Sequence, residues 1–160
     1  MPTVNIPNII YRIQQIAADA VEEVTTTCAI ANFLDTSPHL PCVSVRLDSV
    51  DYGDYSDARA SEEVRSDVYT FIVRVVVAPR TADYDGRSET RLYQIMNAVR
   101  ERFSANEWLT PTDVDDPPDN LRHALLTSST GLRLFTQTGT DAELVGVEFT
   151  LACTFDYYEN

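Results

Sequence analysis

The stretch VYTFIVRVVVA, residues 68–78, decides the fold of this chain, and Pro79 follows it directly. Every second residue from Tyr69 to Val77 is apolar, while the alternate positions carry a single charge, Arg74. β-Branched and aromatic side chains fit a pleated surface, and an almost uninterrupted apolar run is typical of a strand with neighbours on both sides. We expect residues 68–78 to form a central strand of a β-sheet.

Hydrophobic periodicity predicts the remaining elements. Helical spacing of apolar residues indicates a helix over about residues 7–25 and a second helix carrying the stripe Leu92, Ile95, Met96, Val99 and Phe103. Alternation predicts strands over residues 43–50, 121–127, 131–138 and about 145–157, with the second and third of these paired as a hairpin. The order predicts an α+β fold: a mostly antiparallel sheet with two helices packed on one face and a long hairpin arm.

The parity of the strands predicts which residues form the core. The strand residues expected at its centre are Val73, Val75, Val77, Val147, Phe149 and Leu151. The helix residues expected to face them are Ile13, Ile16, Leu92, Ile95 and Val99. A length of 160 residues with 44% apolar content is enough for one domain with a real core, so we expect a single domain over residues 1–160.

Two polar segments interrupt these elements. Residues 51–67 contain six acids and two arginines, and we expect them to form an extended arm from a hairpin. Residues 104–120 contain three prolines and five acids, and we expect a solvated acidic loop anchored by Trp108 and Leu109. Residues 28–41 are expected to be irregular.

The charge balance argues against binding of nucleic acid. The chain has 25 acids against 12 bases, every base is arginine, and the formal net charge is −13 at pH 7. Such a surface repels phosphates on average. No apolar run approaches the roughly 20 residues of a membrane span, and the first residues lack a leader pattern, so we expect a cytoplasmic protein without membrane contact. Three cysteines without a C-x-x-C motif are expected to be buried thiols.

No motif for catalysis, metal or cofactor binding stands out. Asp48, Asp51, Asp54 and Asp57 recur every third residue, a pattern that could hold a metal but is more typical of a solvated segment. The segment Asp83-x-Asp85-Gly86 lacks the other ligands of a calcium loop. A catalytic histidine would have to be His39 or His123, and neither lies in a recognisable motif. We expect no enzyme, no cofactor and no metal.

The succession of elements resembles the tail terminator proteins of long-tailed bacteriophages. The resemblance covers nearly the whole chain and is carried by residues 6–24, 43–50, the acidic segment 51–67, the strand FIVRVVV at residues 71–77, residues 92–103 and residues 144–158. It implies a structural virion protein that forms a hexameric ring on the head-proximal end of the tail and stops tube polymerisation. The implied partners are further copies of the chain, the tail tube protein, a neck or connector protein and, in a contractile tail, the sheath protein.

DNA would then only pass through the lumen, where acidity keeps a duplex from sticking. The implied location is the virion tail or neck, after assembly in the host cytoplasm. Two alternatives stay open. One is another neck or tail-completion protein, and the other, from a different class, is a small α+β ligand-binding or hydrolytic domain, which would need a concave pocket with convergent polar groups.

A closed ring needs two different complementary surfaces on each chain. The segment 51–67 has a surplus of four negative charges, and residues 74–102 hold half of all the arginines. We therefore expect the acidic arm of one copy to contact the second helix of the next, with tyrosines beside the charges. The expected interface residues are Tyr52, Asp54, Tyr55, Asp57, Glu62, Glu63, Val64, Arg87, Arg91, Arg100 and Arg102.

Overall fold

The computed structural model of the chain describes residues 3–32, 39–53, 55–56, 63–79, 86–136 and 143–159. In chain order, its elements are α1 (Ile6–Thr25), β1 (Ala29–Ile30), β2 (Cys42–Asp51), β3 (Tyr55–Ser56), β4 (Glu63–Pro79), α2 (Gly86–Ser104), β5 (Leu121–Ser129), β6 (Arg133–Thr136) and β7 (Glu143–Glu159). Both predicted helices and all five predicted strands are present. The expected irregular segment differs in holding the short strand β1.

The strands of the described residues form one sheet in the order β1-β2-β4-β7-β5, with β3 beside β4 and β6 beside β7. The pairing of β1 with β2 is parallel, and every other pairing is antiparallel. The stretch predicted to be central lies in β4, between β2 and β7. The predicted α+β class, with two helices on one face of a mostly antiparallel sheet, is confirmed.

Local sequence explains the start and the buried face of α1. The side chain of Asn5 caps the helix by accepting a hydrogen bond of 3.2 Å from the backbone N–H of Asn8. Pro7 lies in the first turn, where a backbone N–H has no helical partner to lose. The buried face repeats at helical spacing through Ile9, Ile13, Ile16, Ala17, Ala20 and Val21.

The core lies between the two helices and the odd-numbered side chains of β4 and β7. Its largest fully buried residues include Phe71, Phe103, Phe149 and Phe155. All predicted core residues belong to it, with Val77 partly buried at its margin. The parity assignments of β4 and β7 are therefore confirmed.

The polar segment 51–67 is not an arm along its whole length. Residues 63–67 belong to β4 and pair with residues 155–159 of β7, while Tyr55 and Ser56 of β3 pair back onto Arg65 and Val64. The prediction of an arm over residues 51–67 failed here because it counted Asp67 as a solvated acid, whereas Asp67 is buried against Arg65.

The predicted hairpin between residues 121–127 and 131–138 is wrong. Both β5 and β6 pair with β7, at residues 149–155 and 143–146 respectively, and not with each other. Because β4 occupies one edge of β7, β5 and β6 follow one another along its other edge. Thr130 bridges them, since its N–H donates to the carbonyl of Glu148 and its hydroxyl accepts from the Glu148 N–H.

The acidic loop has one of its two predicted anchors. Leu109 is fully buried, but Trp108 is 55% exposed. The second fixed point is Arg12 of α1, whose guanidinium donates to the carbonyl oxygens of Leu109 at 2.9 Å and Asp116 at 2.5 Å. The Arg12 side chain thus holds the backbone of the loop, whereas the sequence had led us to expect that the Trp108 side chain would do so.

Truncation of Phe149 tests the core assignment. Phe149 is 2% exposed, so Phe149→Ala leaves a cavity and should lower the free energy of unfolding by about 3–5 kcal/mol. Chemical denaturation measures the change. Tyr158→Ala, at an exposed position of the same strand, is the control and should shift the midpoint little. Equal effects of the two substitutions would show that the parity of β7 is wrong.

Candidate interaction surface

The end of β2 presents an exposed aromatic residue beside the predicted arm. Tyr52 is 64% exposed, and the guanidinium carbon of Arg65 lies 5.6 Å from the centre of its ring. This distance is within the range of a cation–π contact. Val64, also predicted at the interface, is half-buried in β4 opposite Tyr158. Tyr52 is thus available to a partner, whereas Val64 is partly committed to the sheet.

Several predicted interface residues lie beyond what the structure describes. Asp54, Asp57 and Glu62 lie outside the described residues. For Tyr55, Glu63 and Arg87 the backbone alone is described, in β3, β4 and α2 respectively. The proposed contacts of these six side chains therefore stay predictions.

A buried ion pair fixes the base of the predicted arm. Asp67 is 2% exposed, and both of its carboxylate oxygens accept hydrogen bonds from Arg65, each at 2.9 Å. The Gly53 N–H donates to the same carboxylate at 3.1 Å. A Cβ at Gly53 would lie 2.1 Å from the backbone oxygen of Ser66, so only glycine allows this approach. The fork of Arg65 satisfies a charge that burial would otherwise make costly.

A second polar cluster links the same strand ends through the opposite face of the sheet. The hydroxyl of Ser66 donates to Asp156 at 2.6 Å, and Nε of Arg122 donates to the other carboxylate oxygen of Asp156 at 2.7 Å. Asp156 is buried although no helix covers this face. The cluster therefore ties β5 to β7 and β4.

Two tyrosines beside Asp67 remain neutral over a wide range of pH. Burial, with smaller contributions from Tyr69 and Asp67, raises the pKa of Tyr157 to about 12. Burial also raises the pKa of Tyr69, whose ring packs edge-on against Phe155 at a centroid distance of 5.3 Å. At neutral pH, both phenols therefore stay protonated and add no negative charge beside Asp67.

The arginines of α2 do not form one patch. Arg102 makes an ion pair with Glu23 of α1 and lies on the α1 side of the helix. Arg91 and Arg100 are exposed, but at about 100° per residue their nine-residue separation places them on opposite sides of α2. Arg100 lies beside β5, in a groove with Met96 and Leu126. Of the described arginines of α2, Arg100 alone therefore faces the β5 edge.

The described part of the surface has open grooves without a convergent catalytic set. One groove, of about 570 Å³, lies between α1 and the loop at Pro111 and is lined mainly by acids and threonines. Another, of about 520 Å³, separates α2 from β5 and is lined by apolar and hydroxyl side chains with Arg100. Within the described residues, no three His, Cys, Asp or Glu side chains are grouped as metal ligands.

The two histidines lie in different parts of the fold, one before β2 and the other in β5. His39 is exposed in the segment before β2. His123 is in β5, where its Nδ1 is buried without a hydrogen-bond partner. Burial raises the pKa of the Cys28 and Cys153 thiols to about 12, which opposes formation of a nucleophilic thiolate at neutral pH. No described helix is long and apolar enough to cross a membrane.

Sequence reasoning missed the polar residues that organise this end of the molecule. Arg12 lies within the helical apolar stripe of α1, and Arg65 and Asp67 were counted as part of a solvated segment. For Arg65 and Asp67, however, the sequence did indicate burial. Arg65, Asp67 and Tyr69 share the parity of the buried face of β4, so a continued strand places a charged pair of opposite sign on that face.

Comparisons with known proteins give the following. No family model matches the chain. No curated protein matches it. Among solved structures, the fold is similar to that of a chain from the virion of a native gene transfer agent particle, with a TM-score of 0.43 and 17% sequence identity. The alignment covers 89% of this chain and 91% of that chain. A likeness of this size carries no argument about function.

Removal of the Asp67 carboxylate tests the buried ion pair. Asp67→Ala removes the buried carboxylate that accepts two hydrogen bonds from the Arg65 guanidinium, and should lower the free energy of unfolding by about 3–5 kcal/mol. The matched control is Asp48→Ala, because the Asp48–Arg46 pair is more than 40% exposed and should contribute about 0–1 kcal/mol. Denaturation of both variants measures the difference. If Asp67→Ala costs no more than its control, Asp67 does not fix the strand ends.

Proposed function

We propose that this chain is a structural protein of a phage-like virion, a tail terminator that assembles into a hexameric ring, caps the tail tube and joins it to the head or neck. The proposal includes contacts with the tail tube protein, with a neck or connector protein and, in a contractile tail, with the sheath protein. DNA passes through the lumen of this ring and is not held by it. The chain acts in the virion after assembly in the host cytoplasm.

The observation that carries the proposal is a pair of complementary charged surfaces at separate places on one chain. The end of β2 and the segment after it carry Asp51, Asp54 and Asp57, and Asp51 is exposed in the structure. Arg100 is exposed on α2 and has no ion-pair partner among the described residues. Since the two surfaces differ, contact between copies is head-to-tail, which is the arrangement that closes into a ring.

Two of the arginines near the expected interface already have partners within the chain. Arg65 is held by Asp67 and Tyr52 within the chain, and Arg102 by Glu23 of α1. We therefore assign the inter-subunit contact to Tyr52 and the segment around Asp57 and Glu62 on one copy, and to Arg100 on the next. Exposed ion pairs contribute only about 0–1 kcal/mol each, so apolar contact has to accompany the charges.

The acidity of the chain supports a conduit for DNA. With a formal net charge of −13, the average surface repels a duplex. A ring that releases a genome benefits from this repulsion, because phosphate contacts would retain the DNA.

Replacement of the acidic segment tests the proposal. Exchange of residues 57–62 for Gly-Ser-Gly-Ser keeps Tyr52, Arg65 and Asp67 and should leave a folded protein, but should abolish ring formation and tail capping. Negative-stain microscopy of the purified variant and of wild-type protein measures the outcome, with circular dichroism as the control for folding. Rings of normal size from the folded variant would contradict a role of this segment in the interface. Absence of rings from wild-type protein at every concentration would contradict the terminator proposal itself.

Charge reversal on α2 distinguishes its two sides. Arg100→Glu places a negative charge against the acidic segment of the next copy. The protein concentration needed for half of the chains to be in rings should therefore rise about tenfold. Arg91→Glu is the matched control, with the same change of net charge on the opposite side of the helix. Analytical ultracentrifugation measures both. Equal shifts for the two variants would attribute the effect to net charge and would contradict the placement of the interface at Arg100.

A further inference from the structure

The open sheet ends in two different edges. One edge is formed by β1 and by the part of β2 beyond Val43, because β1 pairs only with Cys42 and Val43. The other edge is formed by β5 and β6, which follow one another along β7. On its outer side, residues 125–129 of β5 have no backbone hydrogen-bond partner within the described part of the chain. An unpaired strand edge is a template for another strand.

The two edges lie at the same levels of the sheet. Paired residues form continuous rows across it, and the row at one end is Ala29, Cys42, Val76, Gly146 and Arg133. A row nearer the middle is Ser49, Thr70, Ala152 and Leu125. β5 is therefore level with residues 45–51 of β2, a part that β1 does not pair. β6 and β1 share only the row of Ala29 and Arg133, because β1 continues from it towards the middle of the sheet and β6 continues away from it. The edges therefore match in position along β5 and β2.

Strand direction also matches for head-to-tail pairing. β1 and β2 run in one direction, while β5 and β6 run in the opposite direction, because each of the pairings from β2 through β4 and β7 to β5 and β6 is antiparallel. Rotation of a second copy about an axis along the strands keeps these directions. The β5–β6 edge of one copy then meets the β1–β2 edge of the next as an antiparallel pair, the commoner and slightly more stable arrangement.

The two edges differ in charge. β5 and β6 contain no acid, in a chain with 25 acids, and carry Arg133 together with Arg122, which pairs with Asp156 of its own chain. The opposite edge carries exposed Asp51 in β2, together with Asp48, which pairs with Arg46 of the same strand. Each edge also exposes aliphatic side chains, which are Leu125, Leu132 and Leu134 on one and Ile30 on the other.

A second apolar cluster runs between the edges on the face without helices. It consists of Ala31, Cys42, Val76 and Leu144, with Ala29 and Phe135 packed against it. The guanidinium of Arg74 covers the Phe135 ring at 4.4 Å. Because Ala29 is in β1 and Phe135 in β6, the cluster reaches both edges of the sheet. Edge pairing between copies would join these clusters into a continuous apolar row.

We propose that a second copy of this chain occupies the β5–β6 edge through its own β1–β2 edge, so that one β-sheet continues from subunit to subunit. This inference rests on the proposed ring and specifies how its subunits meet. The bulges of β5 interrupt its register with β7 at Leu121/His123 and Leu126/Ser128, but Ala124–Leu126 and Ser128–Ser129 remain paired.

Disulfide trapping tests the edge contact. Ser49 and Leu125 are exposed ends of one row, so Ser49→Cys of one copy and Leu125→Cys of the next should lie about 4.5–5.5 Å apart between Cα atoms. This separation permits a disulfide. Within one chain, three strand spacings of about 4.8 Å separate β2 from β5, which is too far for a disulfide. Oxidation of the double variant should therefore give a ladder of covalent oligomers on a denaturing gel.

The controls separate the possible outcomes. Wild-type protein should give no ladder, since Cys42 and Cys153 are buried and the pKa of Cys28 is raised to about 12. A mixture of the two single variants should give heterodimers, and the pair Ser49→Cys with Ser128→Cys samples a register shifted by two residues. Rings in the microscope without covalent oligomers from either pair would overturn edge pairing while leaving the ring proposal intact. Homodimers of one single variant would show a two-fold contact and would overturn it as well, and a monomeric wild-type protein would contradict both proposals.

Discussion

The antiparallel pairing of β4 with β7 is the constraint on which the rest of the structure depends. Each strand has 17 residues, and their register runs from Glu63 opposite Glu159 to Pro79 opposite Leu144. At about 3.3 Å per residue, the pair spans roughly 55 Å, whereas 20 residues of α1 span about 30 Å. The pair is therefore longer than the helix. Towards one end it also contains two buried carboxylates, Asp67 and Asp156, beside the core residues Phe155 and Tyr157.

The central fold was predictable because its signal is local and repeated. Period-two alternation identified β4 and β7, and one wrong parity would have moved every core residue to the other face. The arrangement of β5 and β6 was not predictable in the same way. Two short strands separated by a turn normally suggest a hairpin, and only the length of β7, which offers room for both on one edge, decides otherwise.

The sequence indicates the charges of the proposed interface but not which of those charges are available to a partner. Composition identified an acidic segment and an arginine-rich helix, yet it could not show that Arg65 and Arg102 are occupied within the chain. Net charge counts residues, whereas availability depends on which partner lies within a few ångströms. The proposed subunit has helices on one face of its sheet, two unlike sheet edges and an acidic surface, a combination that suits head-to-tail assembly.

The most direct measurement of this account is the mass distribution of the wild-type protein by native mass spectrometry over a range of concentrations. Head-to-tail association between unlike edges predicts one closed oligomer of fixed stoichiometry above two, in equilibrium with the 17.9 kDa chain and with few open intermediates. A protein that remains monomeric, or that stops at a two-fold dimer, would contradict the central claim that the β1–β2 edge of one copy pairs with the β5–β6 edge of the next.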